Sequence, residues 1–158
     1  MLTLEQVAAE DFESMLALRM EALRTSLERL GRFDPERARE RLLAGFAPTY
    51  MRHIVKDGAR VGFFTLRPLH AVDQGQVLRL DHLYIRPAEQ RQGIGAWVMA
   101  HIKAQARLEA KVVTLAALKL SDANRFYLQH GFEVVEEQEF DIEYRWRQQA
   151  VGAPRVGS

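Results

Sequence analysis

Hydrophobic residues in the first third of the chain recur at two different intervals. Residues 2–7 (LTLEQV) alternate between apolar and polar positions, which predicts a strand. Apolar positions then follow at intervals of three and four residues, as in an amphipathic helix: Phe12, Leu16, Met20, Leu23, Leu27 and Leu30. Gly31 is a suitable end for this helix, and Asp34 followed by Pro35 is typical of the start of a second helix that reaches about Ala44.

The pattern changes to that of strands from Thr49 onward. The segments YMRHIVK and RVGFFTLRP flank an Asp57-Gly58 pair, which tolerates the positive φ angles of a tight turn, so a β-hairpin is predicted. A looser connection, Leu69 to Gly75, should lead to a third strand over Val77 to Ile85. Pro87 ends that strand, because proline cannot donate a hydrogen bond to a sheet.

Helices and strands alternate in the second half of the chain. After the segment AEQRQGIG, a helix is marked by Trp97, Val98, Ile102 and Ala106. The run VVTLAAL predicts a buried strand, and Ser121 or Asp122 should cap a further helix that ends at Gly131. Residues 132–137 and 140–146 complete the pattern as two strands.

The predicted order of elements is β-α-α-β-β-β-α-β-α-β-β. Strand-helix-strand units require parallel neighbours, whereas hairpins require antiparallel ones. The expected fold is therefore an α/β (α+β) domain with a mixed, mostly antiparallel sheet of six to seven strands and about four helices. We expect one domain over residues 1–149 and a disordered tail over residues 150–158, which are rich in Gly and Pro.

Composition narrows the class of protein. A length of 158 residues suits one ordinary domain, and the absence of cysteine excludes disulfides and sulfur-ligated metals. Acidic residues interrupt the apolar positions near the start of the chain, so we expect no signal peptide, no membrane span and a cytoplasmic location. Because 22 basic residues are balanced by 21 acidic ones, nucleic-acid binding is not expected.

The segment from Gln90 to Ala96 has the features of an anion site. Its members are Gln90, Arg91, Gln92, Gly93, Ile94, Gly95 and Ala96. Two glycines allow a ligand close to the backbone, the N–H groups at a helix start have no intrahelical partners, and Arg91 can pair with phosphate. The alternative is a glycine-containing helix start without a ligand. A Walker lysine and a third, Rossmann-type glycine are both missing, which disfavours nucleotide hydrolysis and dinucleotide binding.

The glycine segment follows LYIRP, and the block FYLQHGF lies downstream, beyond the strand VVTLAAL. With these three segments the chain resembles the GNAT superfamily of N-acetyltransferases over about residues 77–133. The resemblance implies an acetyl-CoA-dependent enzyme that acetylates a primary amine of a small molecule or peptide by direct transfer. One departure is Leu120, where many members have an asparagine that contacts CoA, and Asn124 need not replace it.

The resemblance also implies a binding mode. In the family, a bulge splays the strand before the glycine segment from its parallel neighbour, and pantetheine lies in the resulting gap. Leu83, Tyr84 and Ile85 would line pantetheine, the backbone of Leu83 and Ile85 pairing with it. The N–H groups from Arg91 to Ala96 would hold the pyrophosphate. Tyr127 would be the general acid that protonates the departing thiolate.

The sequence leaves the remaining catalytic roles open. The Ile85 N–H is our candidate donor to the developing oxyanion. The general base could be Asp81, His82 or a chain of waters, and strand alternation predicts that only one of the two side chains faces the acceptor. Five other charges could meet an acceptor, although the default expectation for such charges is a solvated helix or strand face: Arg19, Glu21, Arg24, His53 and Glu143. For residues 32–41 we expect ordinary i,i+4 ion pairs on an exposed helix.

Two rival functions remain. The first is a non-catalytic sensor that binds acyl-CoA, and the second is a phosphate-ester enzyme, which would need a metal. No ligand cluster lies beside the glycine segment, so no metal is expected. The segment FDIEYRWR could offer a strand edge to a second copy, so a homodimer is possible.

Overall fold

The computed structural model describes residues 1–71 and 75–148, so the predicted tail lies outside the described residues. The strands are β1 Leu2–Gln6, β2 Met51–Lys56, β3 Ala59–Ala71, β4 Gly75–Ile85, β5 Val112–Leu118, β6 Glu133–Glu137 and β7 Asp141–Trp146. The helices are α1 Phe12–Arg29, α2 Pro35–Ala44, α3 Ile94–Glu109 and α4 Ala123–Gln129. No helix within these two ranges is long and apolar enough to cross a membrane.

The strands form one seven-stranded sheet in the order β1-β2-β3-β4-β5-β7-β6. β4 and β5 run parallel, and the other neighbouring pairs of described strands run antiparallel. The predicted element order and the mixed, mostly antiparallel sheet are confirmed. The predicted strand edge of FDIEYRWR is wrong, because β7 is hydrogen-bonded to β5 on one side and to β6 on the other.

Local signals place most boundaries. Asp34 caps α2, its Oδ1 accepting from the N–H groups of Glu36 and Arg37. Asp57 and Gly58 take positive φ angles of 50° and 85° in the β2–β3 hairpin. The connection predicted for Leu69 to Gly75 is shorter, because β3 continues to Ala71 and β4 begins at Gly75.

The cap predicted for α4 is made differently. Asp122 holds the N-cap position without a side-chain hydrogen bond, and the Ser121 hydroxyl donates to the Leu118 carbonyl. The Asn124 amide instead donates to the carbonyls of Leu118 and Ser121, at 2.8 and 3.0 Å, which ties the start of α4 to the end of β5.

Helices cover both faces of the sheet. On one face, α3 and α4 bury an apolar cluster that includes Leu80, Val98 and Ile102, with Leu83 and Ile85 at its border. On the other face, α1 and α2 bury a smaller cluster with members from β2 and β3: Val7, Met15, Leu16, Ala38, Leu42, Met51 and Phe63. Burial of these side chains in two layers is the main source of stability.

A β-bulge in β4 determines which side chains of this strand lie on each face of the sheet. Thr65 pairs with His82 and Leu66 with Leu80, so that Asp81 is an extra residue in β4. Such a bulge shifts the alternation of side chains and bends the strand. As a result Leu80 and Leu83 lie on the same face, although three positions separate them.

Candidate active site

A gap opens between β4 and β5 at their carboxyl ends. The two strands pair from Val77 with Val112 to Leu80 with Leu115. Beyond that point β5 continues to Leu118 beside β7, whereas β4 continues to Ile85 beside β3. The separation begins at the bulge, so the chain has both the bulge and the splayed strands that the resemblance implies.

The backbone of β4 offers polar groups to this gap. The Arg86 N–H donates to the Val61 carbonyl of β3 at 2.9 Å, so the pair Gly62 and Ile85 next to it is of the non-hydrogen-bonded kind. Leu83 and Ile85 therefore direct their N–H and C=O groups away from β3, toward the gap. The Ile85 carbonyl accepts from the Gln90 side chain at 3.0 Å.

The glycine segment forms the turn into α3. Arg91 and Gly93 both take the left-handed conformation, with φ of 64° and 80°, and Gly93 is the N-cap. The first helical bond is donated by the Trp97 N–H to the Gly93 carbonyl. The N–H groups of residues 91–96 donate to no described residue, so together with the helix dipole they form a cradle for an anion.

Side chains behind the turn fix its position. Lys56 of β2 donates to Glu89 at 2.9 Å and to Gln92 at 2.6 Å. The Gln92 Oε1 and Gln90 Nε2 atoms are therefore bound to residues of β2 and β4. These two atoms are not free to bind a ligand. Arg91 is exposed and makes no ion pair among residues 1–71 and 75–148.

The two glycines of the segment serve different purposes. A Cβ on Gly93 would meet nothing within 4 Å, so the glycine satisfies the positive φ angle. A Cβ on Gly95 would lie 3.1 Å from the Phe126 ring. Close packing of α3 on α4 is therefore one structural reason for glycine at position 95.

Tyr127 lies on α4, where the sequence places it. Its side chain is 7% exposed among Phe126, Phe132 and Tyr144. Desolvation raises the pKa of the Tyr127 hydroxyl, and the nearby Tyr84 hydroxyl raises it further. The raised pKa keeps the hydroxyl protonated at neutral pH. Because it donates to no described residue, its proton is available for transfer.

The predicted alternation of Asp81 and His82, which would leave only one of them able to face an acceptor, is wrong. Arg79, on the face of α1 and α2, contacts Asp81 at 3.4 Å. The His82 ring packs near Phe63 on the same face. The bulge removes the alternation between positions 81 and 82, so both side chains point to the α1 and α2 face.

These two side chains have different chemical environments. Both Asp81 oxygens are engaged, Oδ2 by Arg67 and Oδ1 by Arg79. His82 Nδ1 lies 3.0 Å from the Tyr84 hydroxyl. Desolvation and the charge of Arg19 lower the pKa of His82 to about 4, so its imidazole is neutral at pH 7 and can accept a proton.

The burial of Arg19 makes it a functional candidate, which the sequence pattern did not indicate. It was one of several charges expected on a solvated surface, yet its side chain is 6% exposed. Its Nε donates to the Tyr84 hydroxyl at 3.3 Å and its Nη1 to the Ala38 carbonyl at 3.4 Å. A polar line of Arg19, Tyr84 and His82 thus follows β4 beneath α1.

The other candidate charges have structural partners. Glu21 lies 3.5 Å from Arg86, and Arg24 pairs with Glu28 on the surface of α1. His53 is buried and lies 2.9 Å from Asp11 Oδ2, which is remote from the gap. Glu143 forms a two-pronged pair with Arg79.

The i,i+4 pairs predicted for α2 are not formed. Asp34 caps the helix, and Arg39 binds Glu13 of α1 at 2.7 Å. Arg37 and Arg41 form no ion pair with the described residues. The charge pattern of the helix indicated internal pairing, but its carboxylates were taken by the cap or left exposed.

Leu120 has an unusual backbone. Its φ angle is 68°, and its side chain is 64% exposed. Asparagine adopts this conformation at lower cost than leucine. Asn124 does not substitute for a ligand contact at this position, because its amide holds the end of β5 and its Oδ1 accepts from Tyr144 at 2.8 Å.

Metal chemistry has no evident site in the part of the chain that the structure describes. No group of three or more His, Asp or Glu side chains there is placed to hold a metal ion.

Comparison with known proteins agrees with this geometry. The family model described as acetyltransferase (GNAT) domain matches residues 50–134. PaiA N-acetyltransferase from Thermoplasma acidophilum, solved with coenzyme A, superposes with a TM-score of 0.74 at 14% identity, covering 94% of this chain and 99% of its own. PH1933 from Pyrococcus horikoshii gives 0.73 at 17% identity, covering 95% and 100%.

A further solved structure includes a mimic of both substrates. Arabidopsis thaliana Naa50 in complex with the bisubstrate analogue CoA-Ac-MVNAL superposes with a TM-score of 0.64 at 15% identity, covering 91% of this chain and 96% of its own. No curated protein sequence matches the chain significantly.

The splayed sheet and the amide-lined turn define an acetyltransferase architecture. Because the family match covers more than half of the chain, the chain belongs to the GNAT family of acetyltransferases. The predicted family, fold and N-acetyltransferase activity are confirmed, as is acetyl-CoA, the acetyl donor of the family.

Proposed function

We propose that the chain transfers the acetyl group of acetyl-CoA directly to a primary amine of a small molecule or peptide. The single observation that carries the proposal is the gap between β4 and β5, which opens beside the unpaired N–H groups of residues 91–96. The neighbour solved with the bisubstrate analogue CoA-Ac-MVNAL supports an acceptor of this class.

The residues present fit the donor. Leu83 and Ile85 turn their backbone groups into the gap, where the pantetheine arm can pair with them as an added strand. Tyr84 belongs to the same segment and supports it from the opposite face. The N–H groups of residues 91–96, with the exposed Arg91 beside them, hold the pyrophosphate.

Bound acetyl-CoA supplies an activated carbonyl carbon, to which the acceptor nitrogen bonds as the carbon–sulfur bond breaks. The Ile85 N–H donates to the carbonyl oxygen and stabilises the negative charge that develops there. Tyr127 donates its proton to the departing sulfur. The desolvation that raises its pKa keeps that proton available at neutral pH.

His82 takes the proton from the acceptor nitrogen, directly or through a water. Its low pKa keeps the imidazole unprotonated at neutral pH, whereas the Asp81 carboxylate is occupied by Arg67 and Arg79. A pKa of about 4 makes His82 a weak base, which suits an acceptor that arrives already deprotonated.

The test is Tyr127→Phe, with CoA release and acetyl-CoA binding measured separately. Loss of the acid should lower turnover by about 100-fold to 10,000-fold, while calorimetry should still detect acetyl-CoA binding. Wild-type protein that binds acetyl-CoA but acetylates none of a broad panel of amines would instead support the acyl-CoA sensor. Failure of pure, folded protein to bind acetyl-CoA or CoA would contradict the proposed function.

A further inference from the structure

Arg19 carries a buried positive charge without a carboxylate partner. Its side chain is 6% exposed, and its two hydrogen bonds, at 3.3 and 3.4 Å, go to neutral oxygens of Tyr84 and Ala38. Among residues 1–71 and 75–148, no Asp or Glu forms an ion pair with it. A guanidinium removed from water pays a desolvation cost that an anion beside it would offset.

Further arginines extend this positive charge along the same side of the sheet. We define the arginine cluster as Arg19, Arg32, Arg37 and Arg41. Desolvation and the charges of the other three members lower the pKa of Arg41, while Asp141 at the start of β7 opposes that shift. No member of the cluster forms an ion pair with a described residue.

Two members of the cluster, Arg32 and Arg37, border an open space. Residues 31–35 and Arg37 line a surface groove of about 430 Å³ at the connection between α1 and α2. The Arg32 guanidinium stacks 4.1 Å from the centre of the Phe140 ring, which brings this connection against the β6–β7 turn. The Arg32 end of the groove therefore lies beside the β6–β7 turn, next to the carboxyl end of β5.

One buried neutral polar group on this face also lacks a partner among the described residues. Thr65 is fully buried, and its Oγ1 has no hydrogen-bond partner among the described residues. Thr65 pairs in register with His82, and both lie on the face of α1 and α2. A ligand or water that reaches His82 can therefore also satisfy the Thr65 hydroxyl.

The nearby carboxylates do not cancel the positive charge of the cluster. Asp81 is bound by Arg67 and Arg79, and Glu143 is bound by Arg79. Asp34 lines the groove and caps α2, and Asp141 lies near Arg41. Neither carboxylate forms an ion pair with Arg19, so its guanidinium is a positive charge without a bound anion on the acceptor side of β4.

We infer that the acceptor is an amine that also carries a carboxylate, and that Arg19 binds this carboxylate. The inference rests on the proposed function, because it assigns the acceptor class of the same site. A guanidinium can bind a carboxylate through two parallel hydrogen bonds, which would orient the amine toward the Ile85 end of the gap. The positive surroundings also disfavour the ammonium form of the acceptor and so favour the reactive free amine. A polyamine, with several positive charges, is disfavoured for the same reason.

The experiment compares matched acceptors in a CoA-release assay. L-amino acids and their C-terminal amides form the matched pairs, and spermidine is added as a cationic acceptor. For wild-type protein we expect kcat/KM to favour acids over amides by at least about tenfold, which corresponds to about 1.4 kcal/mol. A comparison of L-alanine with 1-aminoethylphosphonic acid separates a carboxylate site from a phosphonate site.

Substitutions of Arg19 test whether this residue causes the preference for acids over amides. Arg19→Met should reduce the preference of acids over amides to near unity through a higher KM for acids, and Arg19→Lys should restore part of it. Arg39→Met is the matched control, because Arg39 pairs with Glu13 on the surface outside the cluster. Thermal melts of all variants show whether each remains folded.

The outcomes are separable. Equal or better use of amides, spermidine or the phosphonate by wild-type protein would overturn the carboxylate inference while leaving the proposed function intact. An unchanged acid preference in folded Arg19→Met would also overturn it. Absence of both acetyl-CoA binding and amine acetylation would contradict the proposed function itself.

Discussion

Gly95 of α3 lies against the ring of Phe126 of α4: a Cβ at position 95 would come within 3.1 and 3.2 Å of two ring carbons. The contact couples the helix that begins at the anion cradle to the helix that carries Tyr127. The distance between cradle and acid is therefore set by packing between two helices, and not by the loop alone.

Gly95→Ala tests this packing. The added methyl group must displace the Phe126 ring, which we expect to cost about 1–3 kcal/mol in the free energy of unfolding. The companion variant Phe126→Leu should recover part of that loss by making room. Chemical denaturation of the single and double variants measures the coupling, and strictly additive effects would contradict it.

Gly93→Ala should act through the backbone instead. The new Cβ meets no atom within 4 Å, but φ at this position is 80°. We expect a loss of about 1–2 kcal/mol in stability from the left-handed conformation. Weaker acetyl-CoA binding should accompany it, because the N–H groups of the cradle are displaced. Calorimetry checks the affinity, and unchanged binding would place the pyrophosphate elsewhere.

Leu120→Asn should stabilise the fold. The φ angle of 68° at this exposed position is less costly for asparagine than for leucine, so we expect a gain of about 0.5–1 kcal/mol in the free energy of unfolding. Leu128→Asn is a control, since Leu128 is also exposed but lies within α4. A gain of equal size in the control would show that reduced surface hydrophobicity, rather than backbone strain, is the cause.

His82 should determine the acidic limb of the rate profile. Its pKa of about 4 in the folded protein lies below the ordinary 6.5, so protonation of this imidazole begins only as the pH falls toward 4. After correction for the acceptor's own amine pKa, we expect no fall in kcat/KM near pH 6.5. His82→Ala should lower kcat by about 100-fold or more. Retention of kcat in folded His82→Ala would leave a water chain as the base.

The hydrogen bond between Asp11 and His53 should make the free energy of unfolding depend on pH in the acidic range. The hydrogen bond to His53 holds the pKa of Asp11 at about 2, against 3.8 ordinarily. A carboxylate with a lowered folded-state pKa stabilises the fold above pH 4, and this contribution, about 2 kcal/mol at most, is lost as the pH falls toward 2. Denaturation of wild type and Asp11→Asn at pH 7 and pH 2.5 should show a difference in stability at pH 7 that narrows in acid.

Periodicity predicted the elements well because the apolar faces of α1 and α3 and the alternation of the hairpin strands follow regular intervals. The glycine segment and Tyr127 could also be predicted from the sequence, since their spacing resembles that of a known family. The position of the bulge at Asp81 could not be predicted from periodicity, because one extra residue in a strand leaves the run of apolar residues almost unchanged. Its effect was to place Asp81 and His82 on one face, contrary to the prediction from alternation.

The role of Arg19 could not be predicted from the sequence for a different reason. In a helix that also contains Glu21 and Arg24, an arginine at position 19 resembles its exposed neighbours. Its burial depends on α2 and β4, which lie distant in sequence and supply the Ala38 carbonyl and the Tyr84 hydroxyl. Arg37 and Arg41 lack their expected helical partners for a local reason, because Asp34 caps the helix and the other carboxylates of α2 are exposed.

The seam that joins β4 to β5 runs only from Val77 with Val112 to Leu80 with Leu115. Each half of the sheet is otherwise a set of antiparallel strands, and backbone pairing between the halves stops at this short seam. A ligand that bridges both halves beyond the seam would complete the missing stretch of backbone pairing. Binding of acetyl-CoA would then add to the free energy of unfolding, so the protein without it should melt at a lower temperature. Local opening should be most frequent at the carboxyl ends of β4 and β5.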